Sequence, residues 1–518
     1  MKPIPFQNQF NNGMKRDVSR NRMPPNSVWN AIDYIWDYGA PARERAGWAY
    51  ASSDIDAITA TAGYIRGGIY ATFSPTSGAQ EVNLAVDEDG YLYKIALSGT
   101  PAATGVGLGV PIAQNPIFHG GTSVSSATAI YTGLVILPDG TGAAVPKKYD
   151  GTTLSNLNGS PPKAKFGTVY KDYTALANGT VGTILYPNRV WWGPVGDPDC
   201  GFSGTVTAWD TTDAWNDFSL PVIGLASTKN VMLVFHDGMV SRIRGNTPPP
   251  EEDMVVDDPW QKVGLLDPFS ITEYMDQIYF CAAEGVFRTD GVSMDDITLK
   301  GGMLRYWLDL VSNATSTWTF ATGIIRNKLI ISVMDGTTFK DAFIIDLQSY
   351  AWGRLSNMKV TSFWTGQYGN ADETYFGSRA VTSEVRVGRL NTIFDVDNSA
   401  YKSDADGTAV GSTLETPFNE LGRPGIKTVK GIHVGYYLKD WATDNPSVAV
   451  SYVDTPEESS YTSCGTLTEN TSYNRNRLEI GGRHYGLGLK FVKTGAGDFH
   501  GFDISAEVGY QEESKRMA

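Results

Sequence analysis

One pattern recurs along this chain at a nearly constant interval, and it limits the folds open to it. Each copy is an apolar run, a turn-forming pair and a second apolar run. "NLAVDEDGYLYKI" turns at Asp89-Gly90, "GLVILPDGTGAAV" at Asp139-Gly140 and "TILYPNRVWWGP" at Asn188. "MLVFHDGMVSRI" turns at Asp237-Gly238, "QIYFCAAEGVFRT" at Glu284-Gly285 and "LIISVMDGTTFKDAFII" at Asp335-Gly336. The successive intervals are 50, 49, 49, 47 and 51 residues. Asp-Gly and related pairs reach the positive φ of a tight hairpin. The flanking runs are rich in Val, Ile, Leu, Tyr and Phe, and several alternate apolar with polar, as antiparallel strands do. Between hairpins, stretches such as "SLPVIGLAST" leave room for further strands. A four-stranded unit repeated every ~40–50 residues predicts an all-β fold, a β-propeller. A further copy, "ETYFGSRAVTSEVRVG", falls around Ser378, so the expected ring has about six to eight blades.

The stretch "SVWNAIDYIWDYGAPARERAGWAYAS" joins the series. Val28, Asn30, Ile32, Tyr34, Trp36 and Tyr38 alternate with a set that includes Asp33 and Asp37, which is the period of a strand. Its turn near Gly39 lies 50 residues before Asp89. It therefore predicts one more hairpin in register, with Trp36 and Trp48 packed inside. A helix from Ser27 is the rival reading, with Val28, Ile32 and Ile35 on one side. Beyond Leu414 the spacing stops. "TVKGIHVGYYL", "PSVAVSYVD", "YGLGLKFVKT" and "FHGFDISAEVGYQ" read as strands of a β-sandwich. The expected organisation is an N-terminal arm over 1–26, a β-propeller over 27–413, a C-terminal β-sandwich over 414–511 and a frayed tail over 512–518.

Charge narrows the function classes. Lys plus Arg number 42 and Asp plus Glu 56, a net charge of −14. An acidic surface repels phosphate backbones, which argues against tight nucleic-acid binding. Cys200, Cys281 and Cys464 are too few and too scattered for a disulfide framework or a structural zinc, and fit folding in a reducing cytoplasm. The start "MKPIPFQNQFNN" has no apolar signal-peptide core, and no apolar run reaches the ~18 residues of a membrane span.

Catalytic motifs are absent. "GVGLGV" lacks the spacing of a dinucleotide loop. "SPPK" at Ser160 carries two prolines, which prevent the helix that would align Ser160 with Lys163. "SVMDGTTF" misses the sialidase Asp-box at Met334 and Phe339. His119, His236, His433, His484 and His500 are isolated. "DVDNSAYKSDADG" offers Asp395, Asp397, Asp404 and Asp406 but no closing Glu for a calcium loop. No catalytic residue, metal or cofactor is expected. The segment "GNTPPPEEDMVVDDPW" stands out, because three prolines precede Glu251, Glu252, Asp253, Asp257 and Asp258. It reads as a projecting loop at a channel or an interface, where like charge would repel phosphates.

Several stretches resemble the β-propeller proteins of phage tails. "RDVSRNRMPPNSVWNAIDYI…RERAGW" resembles their opening segment, with Met23-Pro24, Asn30 and a variant Arg45-Ala46-Gly47. "PNRVWWGPVGDPD" resembles their Asn-Arg-aromatic strand. "VIGLASTKNVMLVFHDGMVSRIRGNT" and "LLDPFSITEYMDQIYFCAAEGVFRTDG" resemble central blades, and "FIIDLQSYAWGRL" a later one. The resemblance spans most of residues 13–430. It implies a non-enzymatic structural virion protein, the hub or nozzle of a short tail, assembled in the host bacterial cytoplasm. The implied form is a homohexamer that prolongs the DNA-ejection conduit without binding DNA specifically. It would contact tail adaptor or portal-side proteins and offer docking for fibres or spikes. Arg16, Arg20 and Arg22 in the arm would then clasp a neighbouring subunit. The alternative is a glycan-binding or glycan-cleaving propeller of the virion surface, which needs a carboxylate pair at one end of the ring.

Overall fold

The computed structural model describes residues 3–510, except 8–9, 25, 39–41, 56–57, 59–62, 74–79, 121–132, 201–205, 252, 379–384, 395–403, 406–407, 409, 421–425, 441–445, 457–458, 469 and 496. The fold is all-β, with 53% strand and 6% helix. Among the described residues, seven four-stranded antiparallel units follow one another, one of them part of a larger sheet. We number them sheets 1 to 7: residues 65–108, 117–156, 163–217, 224–261, 272–296, 318–354, and 360–389 with Ala49–Tyr50 as its outer strand.

The buried apolar residues show how the sheets are arranged, because each interface between neighbours has its own cluster. Leu84 and Val86 meet Val135 and Leu137 between sheets 1 and 2. Leu134 and Ile136 meet Ala164 and Leu176 between sheets 2 and 3. Tyr170 and Trp192 meet Met232 and Val234 between 3 and 4. Leu233 and Phe235 meet Ile278 and Phe280 between 4 and 5. Cys281 and Val286 meet Phe320 and Ile331 between 5 and 6. Ile330 and Ile344 meet Phe363 and Phe376 between 6 and 7. Trp364 and Tyr375 meet Ile65 and Tyr93 between 7 and 1. The last interface returns to the first sheet, so the sheets form a closed, propeller-like ring. Strands alternate inward and outward side chains, so each sheet buries both faces against neighbours. That explains the near-continuous apolar runs such as "VMLVF", buried throughout.

The turns between second and third strands lie where the sequence places them at Gly90, Gly238 and Gly336, whose φ values are 89°, 79° and 54°. Asn188 is a correction. It lies inside the strand Ile184–Trp192, and the turn is at 182–183, where Gly182 has φ 61°. The ladder between sheet 3's second and third strands shifts register between Ala177 and Gly179. Pro187, Asn188 and Arg189 stand there against the single residue Asn178, so the turn-forming residues make a bulge and not a chain reversal.

The stretch after Ser27 makes the expected hairpin, Tyr34–Ile35 against Arg43–Glu44, but this pair builds no four-stranded unit of its own, which is a second correction. Asn30–Ile32 pairs in parallel with sheet 6's outer strand at Arg354 and antiparallel with Thr413–Glu415. Ala49–Tyr50 pairs with Gly388 and Arg389 and completes sheet 7. Trp36 and Trp48 are both buried. One chain segment thus closes the ring and joins it to the C-terminal sheets.

That junction is a continuous nine-stranded sheet. It runs from sheet 6 through Asn30–Ile32 and Thr413–Glu415 to Gly488–Thr494, Ser447–Val453 and Thr462–Thr468. A five-stranded sheet packs with it, built on the long pair Lys427–Asp440 and Gly497–Tyr510. Val434, Leu438, Ile504 and Ala506 of the second sheet share one buried cluster with Val450, Phe491 and Leu414 of the first. The same cluster reaches Trp352 and Phe343 of sheet 6, so a single apolar core crosses from the ring into the C-terminal sheets. The strand Pro3–Gln7 pairs with Gly497–Tyr510, which brings the two ends of the chain together.

Candidate functional site

The inner strands of the seven sheets surround a polar axial cavity of about 330 Å³. Two neighbouring amides span it. Gln114 donates from Nε2 to the Leu225 carbonyl at 2.7 Å in sheet 4. Asn115 donates to the Phe363 carbonyl at 2.8 Å in sheet 7, and its Oδ1 accepts from Gly68 N at 3.2 Å in sheet 1. These side chains satisfy backbone groups that the inner edge of a ring leaves unpaired. They also tie three sheets together across the axis.

Toward the first-to-second turns of the sheets, the cavity opens into a second space of about 760 Å³. Tyr70, Glu273 and Thr365 line both. Glu273 sits at the end of sheet 5's inner strand, before a two-residue turn in which Met275 and Asp276 take φ of 50° and 59°. Positive φ at both positions is the hairpin geometry that matches strand twist. The same device, without glycine, turns sheet 3 at Lys171-Asp172 and sheet 6 at Arg326-Asn327. Tyr70 lies against Gly366, where a Cβ would stand 2.7 Å from the tyrosine Cβ. That glycine leaves room for the ring at the cavity wall.

The carboxylates at this opening have different roles. Glu373 is buried, and one of its oxygens accepts from Thr374 N, Leu390 N and Asn391 N at 3.0, 3.1 and 2.7 Å. It is a structural anchor. Asp276 accepts from Lys229 N at 2.8 Å. Glu273 has no hydrogen bond or ion pair among the described residues and faces the cavity. Crowding by the surrounding wall, then the charge of Asp276, pushes its acid up to about 7. An accessible carboxyl that is half protonated near neutrality can donate or accept a proton there.

The sites expected from the sequence lie elsewhere. Asp257 pairs with Arg242 and Arg244 at 2.6 and 3.2 Å. Asp258 accepts from Ser219 N and the Ser241 hydroxyl, both at 2.7 Å. Asp253 accepts from Asn246 N and Thr247 N, which hold its acid below the usual range. Glu251 is exposed, and Glu252 lies outside the described residues. Two of the five charges therefore hold the hairpin's own backbone and arginines, a third holds Ser219 and Ser241, and the segment from Val255 is a strand paired with Met239–Arg244. In the arm, Arg20 is buried and donates to the Thr416 carbonyl at 2.9 Å. Arg16 stacks 4.2 Å over Trp29 and 5.3 Å over Tyr306. Both are held by residues of this same chain. Arg22 is exposed.

Two further groups look chemical and are structural. Ser241 Oγ lies 3.1 Å from His236 Nε2 and 2.7 Å from Asp258. The serine is the middle member and fully buried, so it presents no nucleophile. Asp404 accepts from Arg45 at 2.7 and 3.0 Å, from Trp48 N and from Asn357. Asp33 takes the Arg45 Nε at 2.6 Å. Asp404 is thus held by a guanidinium, while Asp395, Asp397 and Asp406 lie outside the described residues. No group of residues able to hold a metal occurs among the described residues. Burial pushes the Cys200 thiol up to about 12 and the Cys464 thiol to about 11, so neither supplies a thiolate near neutrality.

No protein-family model matches the chain, and no curated protein matches it. Solved structures do. The extracellular domain of a putative hybrid two-component system from B. thetaiotaomicron matches at TM-score 0.40 and 10% identity, over 91% of this chain and 63% of that one. PorZ of Porphyromonas gingivalis, a surface component of the type-IX secretion system, matches at 0.36 and 11%, over 66% and 38%. This chain thus spans less than two thirds of either. A family 43 arabinoxylan arabinofuranohydrolase from Bacillus subtilis matches at 0.23 and 10%, over 89% and 99%. Against the expectation that the chain is not an enzyme, glycoside hydrolases stand among its similar structures, at TM-scores of 0.21 to 0.23.

Proposed function

We propose that this chain is a virion tail protein of the hub or nozzle kind, a seven-bladed β-propeller carrying a C-terminal β-sandwich. The observation that carries the reading is the one-piece construction. A continuous sheet and one apolar core join the ring to the C-terminal sheets, as a wall under load requires. The order of motifs along residues 13–430 supports it too. In this reading homohexamers form around an axis outside each propeller. Gln114 and Asn115 span the axial cavity, so ejected DNA runs beside the blades and not through them. Portal-side proteins and fibres or spikes dock on the exposed ends, and Arg22 remains available for such a contact. The test is mass photometry of the purified chain with immunogold labelling of phage particles. Rings and a tail position are expected. A monomer absent from every particle would refute the reading.

A further inference from the structure

We propose that the axial opening around Glu273 is a binding site for a short saccharide. Its volume, about 760 Å³, falls within the roughly 300–1,000 Å³ of small-ligand sites. Glu273, Thr365 and Asp372 are exposed within it, so a ligand can reach them from solvent.

The lining selects the ligand class. Tyr70 and Tyr274 stand in its lining, both half-buried, and aromatic rings suit the apolar side of a pyranose ring. Thr365, Gln367 and Asn391 each donate and accept, which matches vicinal hydroxyls that do both. Phosphorylated ligands are disfavoured, because Glu273 and Asp372 repel them. Arg326, at the same opening, has its guanidinium 4.8 Å over the Phe394 ring. A purely apolar ligand would bury an unpaired carboxyl, which costs free energy. A hydroxylated ligand can instead bond Glu273 in either protonation state. The amides of Gln114 and Asn115 crossing the inner cavity limit how deep a chain can enter, so the ligand is a terminal unit or a short oligomer.

This inference stands apart from the assembly reading. Rings that bind no sugar would leave the tail function intact, and a sugar-binding monomer would remove only the tail. The test is saturation-transfer NMR and calorimetry on the full chain. The probes are maltose, lactose, cellobiose, chitobiose and the oligosaccharides released from bacterial lipopolysaccharide by mild acid. At least one probe is expected to bind. Glu273→Ala should weaken it about tenfold or more, the loss of one charge-assisted hydrogen bond. Thr365→Trp, which fills the opening from an exposed position, should abolish it. Melting curves unchanged at about pH 4, where Glu273 carries no charge penalty, would show for both variants that the fold is intact. Absence of binding by all five probes, or binding untouched by both substitutions, would overturn the proposal.

Discussion

At the residue scale, two charged groups carry different kinds of information. Arg45 is fully buried, and its Nε and both terminal nitrogens reach Asp33, Asp404 and the Ala46 and Ser356 carbonyls. This group ties the N-terminal segment to the link between sheets 6 and 7. Removing one member of such a cluster leaves a buried charge uncompensated, at a cost of about 3–5 kcal/mol. Arg45→Ala should therefore lower stability by about that amount in denaturant melts, and a loss below about 1 kcal/mol would contradict the assignment. Glu273 works in the other direction. Its acid lies near 7 in the folded chain against an ordinary value of 4.5. Between those values the native state keeps a proton that the unfolded chain releases, so stability falls as pH rises through the window. Glu273→Gln removes that penalty. The variant should melt higher than wild type at about pH 8 and alike at about pH 4, and the opposite order would rule out the raised acid.

At the element scale, ring closure depends on a strand of two residues. Ala49–Tyr50 is held by its ladder to Gly388 and Arg389 and by Ala51 N, which donates to the Val387 carbonyl at 2.8 Å. Ala51→Pro would delete that donor and leave the Val387 carbonyl only the longer bond from Ser52 N at 3.3 Å, at about 0.5–1.5 kcal/mol. Hydrogen exchange should then quicken at residues 385–389 while sheet 3 keeps its protection. Equal change in both sheets would mean that this strand does not close the ring. The element scale is also where the sequence is most legible. Asp237-Gly238 and Asp335-Gly336 announce their hairpins because only glycine reaches positive φ without strain. Met275-Asp276 and Arg326-Asn327 reach it without glycine, so those turns pass unmarked. The axial opening is illegible for another reason. Tyr70, Glu273 and Gln367 come from sheets 1, 5 and 7, and only ring closure brings them together, so no local spacing records them.

At the scale of the whole molecule, the question is whether the C-terminal sheets can stand alone. The sequence divides the chain at 413/414, where the repeat ends, and the nine-stranded sheet runs straight across that point. Thr413–Glu415 lies between Asn30–Ile32 and Gly488–Thr494, and Leu414 between them is fully buried. On the far side Glu44 is buried against Lys493 at 2.6 Å, so charge as well as sheet crosses the junction. A fragment of residues 414–511 would lose Asn30–Ile32, Pro3–Gln7 and Glu44 together. It would expose two open strand edges and take Glu44 from Lys493, and open edges recruit other chains. The fragment should therefore aggregate or remain unfolded by circular dichroism. The full chain should lose its C-terminal and ring signals in one transition. Leu414→Ala, at about 2–5 kcal/mol for a buried leucine, should shift that transition for both signals together. A soluble, folded fragment, or a variant that moves the C-terminal signal and leaves the ring where it was, would show that the two parts are separate domains after all.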